Sequence, residues 1–355
     1  MNATNLIIIT SLLLLLSCQP KAENQIDDYT VKYFSKQDDA EMTVLKGEKF
    51  PLIEFINPRH ILALDDHLVI VENELNNIFY LYRQDTKEFV RSFGVNAMGP
   101  GEIFMASRPH IGIDRGDFWT YDATGRSINK YNIYNDTSKL AILQIRQRES
   151  FSGATSFLPI SDSVFMTQDM SDEHKFVQIN IGQNQREKYG NWNDMDPSAD
   201  LPLTVLFTIY QGSEGASRDG RYFGICGSIS DFIEILDKET GKIVSIRGPA
   251  NEYPDFDVDD SRGWVSAEFR GAPVIKYRSI YLGENSVFGL YSGATNKESI
   301  ENQKSYVFEF DFQGNLLSEY LLDYAVLSFS IDEKTKTIFG ISHDEDRNLV
   351  AFQYE

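Results

Sequence analysis

The 355-residue chain contains little cysteine and little histidine for its length. Its two cysteines are Cys18 and Cys226, and its five histidines are scattered along the sequence. A disulfide framework requires paired cysteines, and the common zinc motifs require closely spaced cysteines or histidines. The sequence therefore predicts no disulfide framework and no metal centre built on a linear motif. A lone cysteine of this kind is typically a small buried apolar residue, which we predict for Cys226.

Positive charge is also scarce. The chain has 33 Lys and Arg against 53 Asp and Glu, which gives a formal net charge of −20. Nucleic-acid-binding domains present basic surfaces, and anionic lipid surfaces attract basic segments, so this charge balance argues against both partners. We predict no nucleic-acid partner.

Signatures of the common enzyme classes are missing. The sequence has no His-Glu-x-x-His zinc helix, no Gly-x-Ser-x-Gly elbow and no phosphate-binding loop. The acidic run 255–260 alternates oxygen ligands in the manner of a calcium loop. However, Asp260 stands where that loop needs glycine, and Ser266 stands where it needs a bidentate glutamate. We expect a solvated acidic loop here, with a weak incidental cation site as the alternative. No motif indicates a cofactor.

The longest apolar run lies at the N-terminus. Residues 6–16 are almost entirely Leu and Ile, and they are too few to span a bilayer, which is typical of a signal-peptide core. The run leads into Leu15-Leu16-Ser17-Cys18, which resembles the bacterial lipobox, where cleavage precedes a lipidated cysteine. We predict a signal peptide over 1–17, lipidation of Cys18 and a polar tether over 18–28. Because Gln19 rather than aspartate follows the cysteine, outer-membrane attachment is favoured. An ordinary signal peptide with a chance cysteine is the alternative.

A repeated strand pattern fills the rest of the chain. Six segments begin with a turn pair and continue with apolar and aromatic residues at a period of two, and a second strand of similar pattern follows each. Glycine-containing turns at 237–242 and 311–315 lead into further strands. This pattern predicts an all-β fold over 29–355, a six-bladed β-propeller of four-stranded antiparallel blades. A β-sandwich is the alternative. The six segments are residues 66–71, 116–121, 162–167, 220–225, 285–290 and 336–341.

The ends of the chain predict how the ring closes. The last unit ends at Glu355 with its third strand, so its fourth strand must come from elsewhere in the sequence. The strand-like residues 31–45 belong to no unit, and we predict that an N-terminal strand from this region closes the ring and removes its exposed edges. The spacing between units is longest around 183–219 and 242–304, which predicts long loops there.

Two stretches, Met98–Phe104 and Tyr277–Gly293, resemble the TolB-like six-bladed propeller lipoproteins of Gram-negative bacteria. The resemblance covers nearly all of the chain after the signal peptide. It implies a propeller architecture and a location in the cell envelope. It implies no established reaction, and a fold alone does not identify one.

Ligands of propellers usually bind at the mouth of the central channel, beside the innermost strands. The sequence predicts that these strands begin near residues 59–61, 108–111, 155–157, 207–209, 277–280 and 327–329. Arginines and histidines at equivalent places would form a cationic site that could hold a carboxylate or phosphate. The alternative is that they pair with acidic neighbours and fix the ring. The candidate ligand-binding residues are Arg59, His60, Arg108, His110, Tyr277 and Arg278.

The long loops carry four aromatic residues, Trp192, Tyr210, Tyr253 and Trp264, which could anchor a protein partner if they are exposed. The alternative is that they pack under their own loops. We therefore predict a monomeric envelope lipoprotein that acts as a recognition or scaffold module for a protein, peptide or glycan. A metal-dependent hydrolase or lyase with its site at the channel mouth is the alternative function.

Overall fold

The structure, a computed structural model, describes residues 28–52, 55–196, 200–261, 263 and 265–355. The predicted signal peptide, Cys18, residues 18–27 of the tether and Trp264 therefore lie outside the described residues. The described chain forms six antiparallel blades arranged in a ring, as the sequence predicts.

Each blade is a sheet whose strands follow one another from the inner to the outer edge. Blade 1 consists of Pro58–Leu64, His67–Glu72, Asn77–Arg83 and Phe89–Val95. Blade 2 consists of His110–Ile111, Asp117–Asp122, Ser127–Asn132 and Leu143–Arg146. Blade 3 consists of Leu158–Pro159, Val164–Thr167, His174–Asn180 and Gln185–Asn191.

The second half of the ring follows the same plan. Blade 4 consists of Gly212–Ala216, Tyr222–Gly227, Phe232–Asp237 and Lys242–Arg247. Blade 5 consists of Ile275–Leu282, Ser286–Ala294, Ser305–Asp311 and Leu316–Leu322. Blade 6 takes Val326–Asp332, Thr337–Ser342 and Leu349–Gln353 from the C-terminal part of the chain. The second strand of every blade coincides with one of the six repeated segments of the sequence.

The apolar faces of the blades pack against each other. One hydrophobic cluster lies at each of the six interfaces between consecutive blades, including the interface between blade 6 and blade 1. Between blades 1 and 2, for example, the rings of Phe79 and Phe118 meet edge to face with their centroids 5.1 Å apart. The second strands are buried on both faces. Apolar residues therefore fill nearly every position in them, rather than alternating with polar residues.

An N-terminal strand closes the ring, but it lies just beyond the predicted region. Gly47–Phe50 pairs antiparallel with Leu349–Gln353 and completes blade 6. The predicted region 31–45 instead supplies two outer strands in parallel pairing, Tyr29–Tyr33 on blade 4 and Thr43–Leu45 on blade 5. The closing strand was missed because Gly-Glu-Lys-Phe has neither β-branched residues nor alternating polarity.

Tyr29 fixes the first of these strands in a buried charged cluster. Its hydroxyl donates to the carboxylate of Glu234 and accepts a hydrogen bond from Arg247 at 2.9 Å. Lys175 of blade 3 reaches the same carboxylate at 2.8 Å, and the side chains of both partners are fully buried. The cluster ties the N-terminal segment to the interface between blades 3 and 4.

The long connections contain regular structure rather than open loops. Helix α1, Leu203–Tyr210, lies between blades 3 and 4, and the hairpin Phe256–Asp259/Ser266–Phe269 lies between blades 4 and 5. Helix α2, Asn296–Asn302, joins the second and third strands of blade 5. Short 3₁₀ turns lie at Glu149–Phe151 and Trp192–Met195. The predicted loop 242–304 also contains three strands of blades 4 and 5. The connections within this range are therefore shorter than predicted.

One predicted innermost strand is wrong. Residues 207–209 belong to helix α1, and the inner strand of blade 4 is Gly212–Ala216. Leu203–Tyr210 is a short apolar run, and periodicity alone does not distinguish a buried strand from a buried helix in such a run. The strand prediction failed for this reason. The true strand, Gly-Ser-Glu-Gly-Ala, lacks strand-forming residues and gives no signal.

Candidate ligand site in the central channel

The six inner strands surround a central channel, because each contacts the inner strand of the next blade and the sixth contacts the first. A cavity of about 550 Å³ occupies the part of the channel nearest the turns that join first and second strands. Apolar Leu62 and Ile280 line its wall beside polar Arg108, His110 and Glu214. This mixture of a mostly formed cavity with a few convergent polar groups is typical of a ligand site.

Arg108 lies across the channel axis. It precedes the short inner strand of blade 2, and its guanidinium donates to Ser213 Oγ of blade 4 at 2.8 Å and to the Phe329 carbonyl of blade 6 at 3.5 Å. Blade 2, which carries Arg108, and blades 4 and 6, which accept its hydrogen bonds, together fix the position of this side chain. Among the residues that the structure describes, Arg108 has no carboxylate partner within 4.0 Å. Burial lowers the pKa of this guanidinium, so its charge is held at an energetic cost.

His60 and His110 lie close to Arg108, as the sequence predicts for equivalent positions on two inner strands. Burial, followed by the positive charge of Arg108, lowers the pKa of each imidazole to about 3. Both rings are therefore neutral at ordinary pH, when each has one donor and one acceptor nitrogen. The positive charge at the centre of the channel belongs to Arg108.

Glu214 is a channel residue that sequence reasoning missed, because its strand was not recognised. Burial raises the pKa of its carboxyl to about 7, although Arg108 and a hydrogen bond with Ser156 act in the opposite direction. The carboxyl therefore changes charge near neutral pH, beside an arginine whose charge is fixed.

The remaining predicted ligand-binding residues lie elsewhere. Arg59 is exposed, one residue before His60. Arg278 is partly buried, donates to Asn296 Oδ1 at 3.1 Å, and has its pKa lowered to about 10 by burial and by nearby Arg347. Tyr277 does not reach the channel mouth, because it is fully buried and its hydroxyl donates to the Gly248 carbonyl at 2.8 Å. Tyr277 and Arg278 therefore lie in different surroundings, at a place where the strand pairing is irregular.

Two of the four aromatic residues that were predicted on loops are buried. For these two, the alternative that they pack under their own connections is correct. Trp192 is 0% exposed and meets Phe207 edge to face at 5.7 Å, and Tyr210 packs on Phe232. Tyr253 is 53% exposed. Trp264 lies outside the described residues. Helix α1 covers Trp192 and supplies Tyr210, which is why these rings are not available as anchors.

The rim of the channel cavity is strongly acidic. Five carboxylates and three cationic side chains line it, and one ion pair crosses it, between Asp65 Oδ1 of blade 1 and Arg218 of blade 4 at 3.3 Å. Asp65 also accepts a hydrogen bond from the Tyr134 hydroxyl of blade 2 at 3.0 Å. The carboxylates are Asp65, Asp66, Glu284, Asp332 and Glu333, and the cations are Arg115, Arg218 and Lys334.

Within the described ranges, no group of three or more His, Cys, Asp or Glu residues could hold a metal ion. No helix in the same part of the chain is long and apolar enough to cross a membrane. Cys226 is free and buried, as predicted, and burial raises the pKa of its thiol to about 12.

The ring and its polar channel define a six-bladed β-propeller. Residues 33–334 match the TolB-like 6-blade propeller-like family, and the chain belongs to that family. None of the curated proteins matches the sequence.

The fold also occurs in solved structures, of which two bacterial proteins are examples. A member of the DUF4221 family from Bacteroides vulgatus has 10% sequence identity and a TM-score of 0.55, and the match covers 89% of this chain and 98% of that one. A protein from Bacteroides fragilis, provisionally named as exported, has 16% identity and a TM-score of 0.53, with 91% and 98% covered. At these identities the likeness concerns the fold alone.

Proposed function

We propose that this protein is a recognition module of the cell envelope, anchored through a lipid on Cys18, which binds the carboxylate or phosphate group of a peptide, glycan or small molecule in its channel. The observation that carries the proposal is the guanidinium of Arg108. It lies on the axis of a cavity, it makes hydrogen bonds only to a hydroxyl and a carbonyl, and no carboxylate of the described chain lies within 4.0 Å of it, although Glu214 is near enough to interact with its charge. A buried charge of this kind is costly until an anion pairs with it.

Two neighbours of Arg108 favour an anion over a cation at this depth, and a third, Glu214, opposes an anion only when its carboxyl is ionised. His60 and His110 are neutral, so each can donate a hydrogen bond to a bound carboxylate without adding charge. Charge-assisted hydrogen bonds from guanidinium are strong and directional. The cavity volume of about 550 Å³ suits a ligand of small-molecule size or the end of a larger one.

The test compares pairs of probes that differ only in charge. One pair is an acetylated dipeptide with a free C-terminus and its amide; the other is a uronic-acid disaccharide and its methyl ester. We expect saturable binding of the acids by calorimetry and no binding of the neutral partners. Replacing Arg108 with Met should weaken binding of the acids roughly tenfold or more, since a hydrogen bond to a charged group contributes about 1.5–3 kcal/mol.

Arg148→Met is the matched control, because Arg148 is exposed and does not line the channel cavity. It removes the same charge and should leave affinity unchanged. Equal loss in both variants would show that overall charge, rather than the channel, attracts the probes. If neither acid, nor inorganic phosphate, binds saturably to the folded protein through Arg108, the channel is not the recognition site.

A further inference from the structure

A second cavity, of about 350 Å³, lies at blade 5 and shares no lining residue with the channel cavity. The N-terminal segment, the connection that follows blade 4 and helix α2 meet around it. Three lysines line it, Lys36, Lys276 and Lys304, and they come from different parts of the chain. On a protein with a net charge of −20, such a grouping of ammonium groups requires a physical reason.

Lys276 is the buried member of the group. Its side chain is 5% exposed, and its Nζ pairs with Glu252 Oε2 at 2.5 Å, while the Glu252 side chain is 67% exposed. The partner carboxylate can therefore move into solvent, whereas the ammonium cannot. A buried ammonium that loses its partner needs another anion to compensate its charge.

Lys36 and Lys304 share a single carboxylate. Their Nζ atoms lie 2.9 Å and 2.6 Å from the two oxygens of Asp39, and both stand over the ring of Tyr306. Among the residues that line the cavity, three lysines thus stand against one carboxylate, Glu252, while Asp39 lies just behind two of the lysines. Hydrogen bonds from the two lysines hold the pKa of Asp39 at about 2, so this carboxylate remains charged.

A buried hydroxyl without a partner lines the same cavity. Ser292 is 6% exposed, and its Oγ has no hydrogen-bond partner among the residues that the structure describes. Most buried polar atoms in proteins are satisfied, so an unsatisfied one beside a cavity indicates a missing partner. The next residue is glycine with a positive φ, and a Cβ there would approach the Tyr291 ring to 2.7 Å. The backbone at this place is therefore closely fitted rather than loosely packed.

From these contacts we infer that the cavity is a binding site for a phosphate group, separate from the channel. Lysine ammonium groups act as point charges around phosphate, and a serine hydroxyl can donate to one of its oxygens. The rings of Tyr291 and Tyr306 line the wall and suit the body of a phosphorylated sugar. The phosphate can belong to a soluble metabolite or to a lipid headgroup, and the experiment distinguishes these sources.

Binding of inorganic phosphate, glucose 6-phosphate and phosphatidylglycerol vesicles to the full chain should be measured by calorimetry and vesicle flotation, with glucose and vesicles of digalactosyl diacylglycerol as uncharged, phosphate-free controls. We expect saturable binding of at least one phosphate probe and of neither control. Lys304→Met and Lys276→Met should each weaken that binding roughly tenfold, and Ser292→Ala roughly threefold. If the protein binds glucose 6-phosphate but not the phosphatidylglycerol vesicles, the ligand is a soluble metabolite. If it binds the vesicles but not glucose 6-phosphate, the ligand is a lipid headgroup.

Lys297→Met is the matched control, because Lys297 lies on helix α2, is 85% exposed and does not line the cavity. It should bind as the unaltered protein does. Arg108→Met separates the two sites, because phosphate bound in this cavity is retained in that variant, whereas phosphate bound in the channel is lost. The inference fails if Lys297→Met loses as much affinity as Lys304→Met, or if no phosphate probe binds. Should Lys276→Met fail to fold, the Lys304 and Ser292 variants still decide the question.

Discussion

At the scale of single residues, Glu214 links the channel to pH. Its carboxyl has a pKa of about 7 in the folded protein, against 4.5 for an ordinary glutamate, because burial penalises its charged form. Between these values the unfolded chain has released the proton and the folded protein still holds it. Stability contributed by this group is therefore complete below about pH 4.5 and is lost as the pH rises through about 7.

We therefore expect Glu214→Gln to be more stable than the unaltered protein at pH 8, by up to about 3 kcal/mol, and to differ little from it at pH 4.5. Urea unfolding across this pH range provides the measurement. His60 and His110 have the opposite effect, since their lowered pKa values cost stability as the pH falls below 6.5. They occur in both proteins, so their effect cancels from the difference. A difference that is constant with pH would contradict the assignment.

The same scale shows what residue patterns can and cannot predict about the site. Equivalent positions on two inner strands were enough to place His60, Arg108 and His110 together. Tyr277 was misplaced because the sequence does not show which strand residues are packed inside, and its ring is fully buried with the hydroxyl on the Gly248 carbonyl. Glu214 gave no signal, since its strand contains two glycines and its chemistry depends on burial and on residues from other parts of the chain, such as Arg108 and Ser156. Contacts between distant parts of the chain, such as Arg108 with Ser213 and Phe329, have no local signature.

At the scale of strands, Gly47 is the point where closure of the ring is most tightly fitted. A Cβ at this position would lie 2.6 Å from Phe352 and 2.8 Å from both Tyr324 and Val350. Glycine here lets the closing strand lie close to the apolar side chains of blade 6.

We expect Gly47→Val to destabilise the protein by roughly 1–3 kcal/mol, because the added atoms overpack the seam between the two ends of the chain. Denaturant unfolding monitored by tryptophan fluorescence measures the change. Gly182→Val is the control, since its Cβ would meet only Asn180 Oδ1 at 3.5 Å, and its effect should be within about 0.5 kcal/mol. If the two variants were equally stable, the seam would tolerate repacking more easily than its geometry indicates.

Sequence patterns identified elements well where strands are buried on both faces, and poorly where they lie at an edge or near the axis. All six second strands were correct, since their apolar and aromatic runs follow directly from burial between blades. The closing strand and the inner strand of blade 4 were not, because tertiary contacts rather than local propensity place Gly47–Phe50 and Gly212–Ala216.

At the scale of the whole molecule, the proposed anchor determines where the propeller works. We expect Cys18→Ala to abolish incorporation of a lipid label and to shift the protein from the membrane fraction to the soluble fraction. Each buried methylene of an acyl chain contributes about 0.8 kcal/mol to membrane binding, so loss of the chains removes the attachment. Fractionation after labelling with a clickable fatty acid tests this. A variant that remains in the membrane fraction without label would be held there by another contact.

Because Gly47–Phe50 pairs with Leu349–Gln353, the ring can close only after the last residues of the chain have been synthesised. A chain synthesised from its N-terminus has made its first blades long before the residues that complete the sixth. Until those last residues emerge, the early strand has no partner, and the unfinished ring exposes an edge that can aggregate or be cleaved. A product that ends before residue 349 therefore cannot form the seam. It keeps an exposed strand edge and remains open to degradation, so only the full-length chain gives a closed ring.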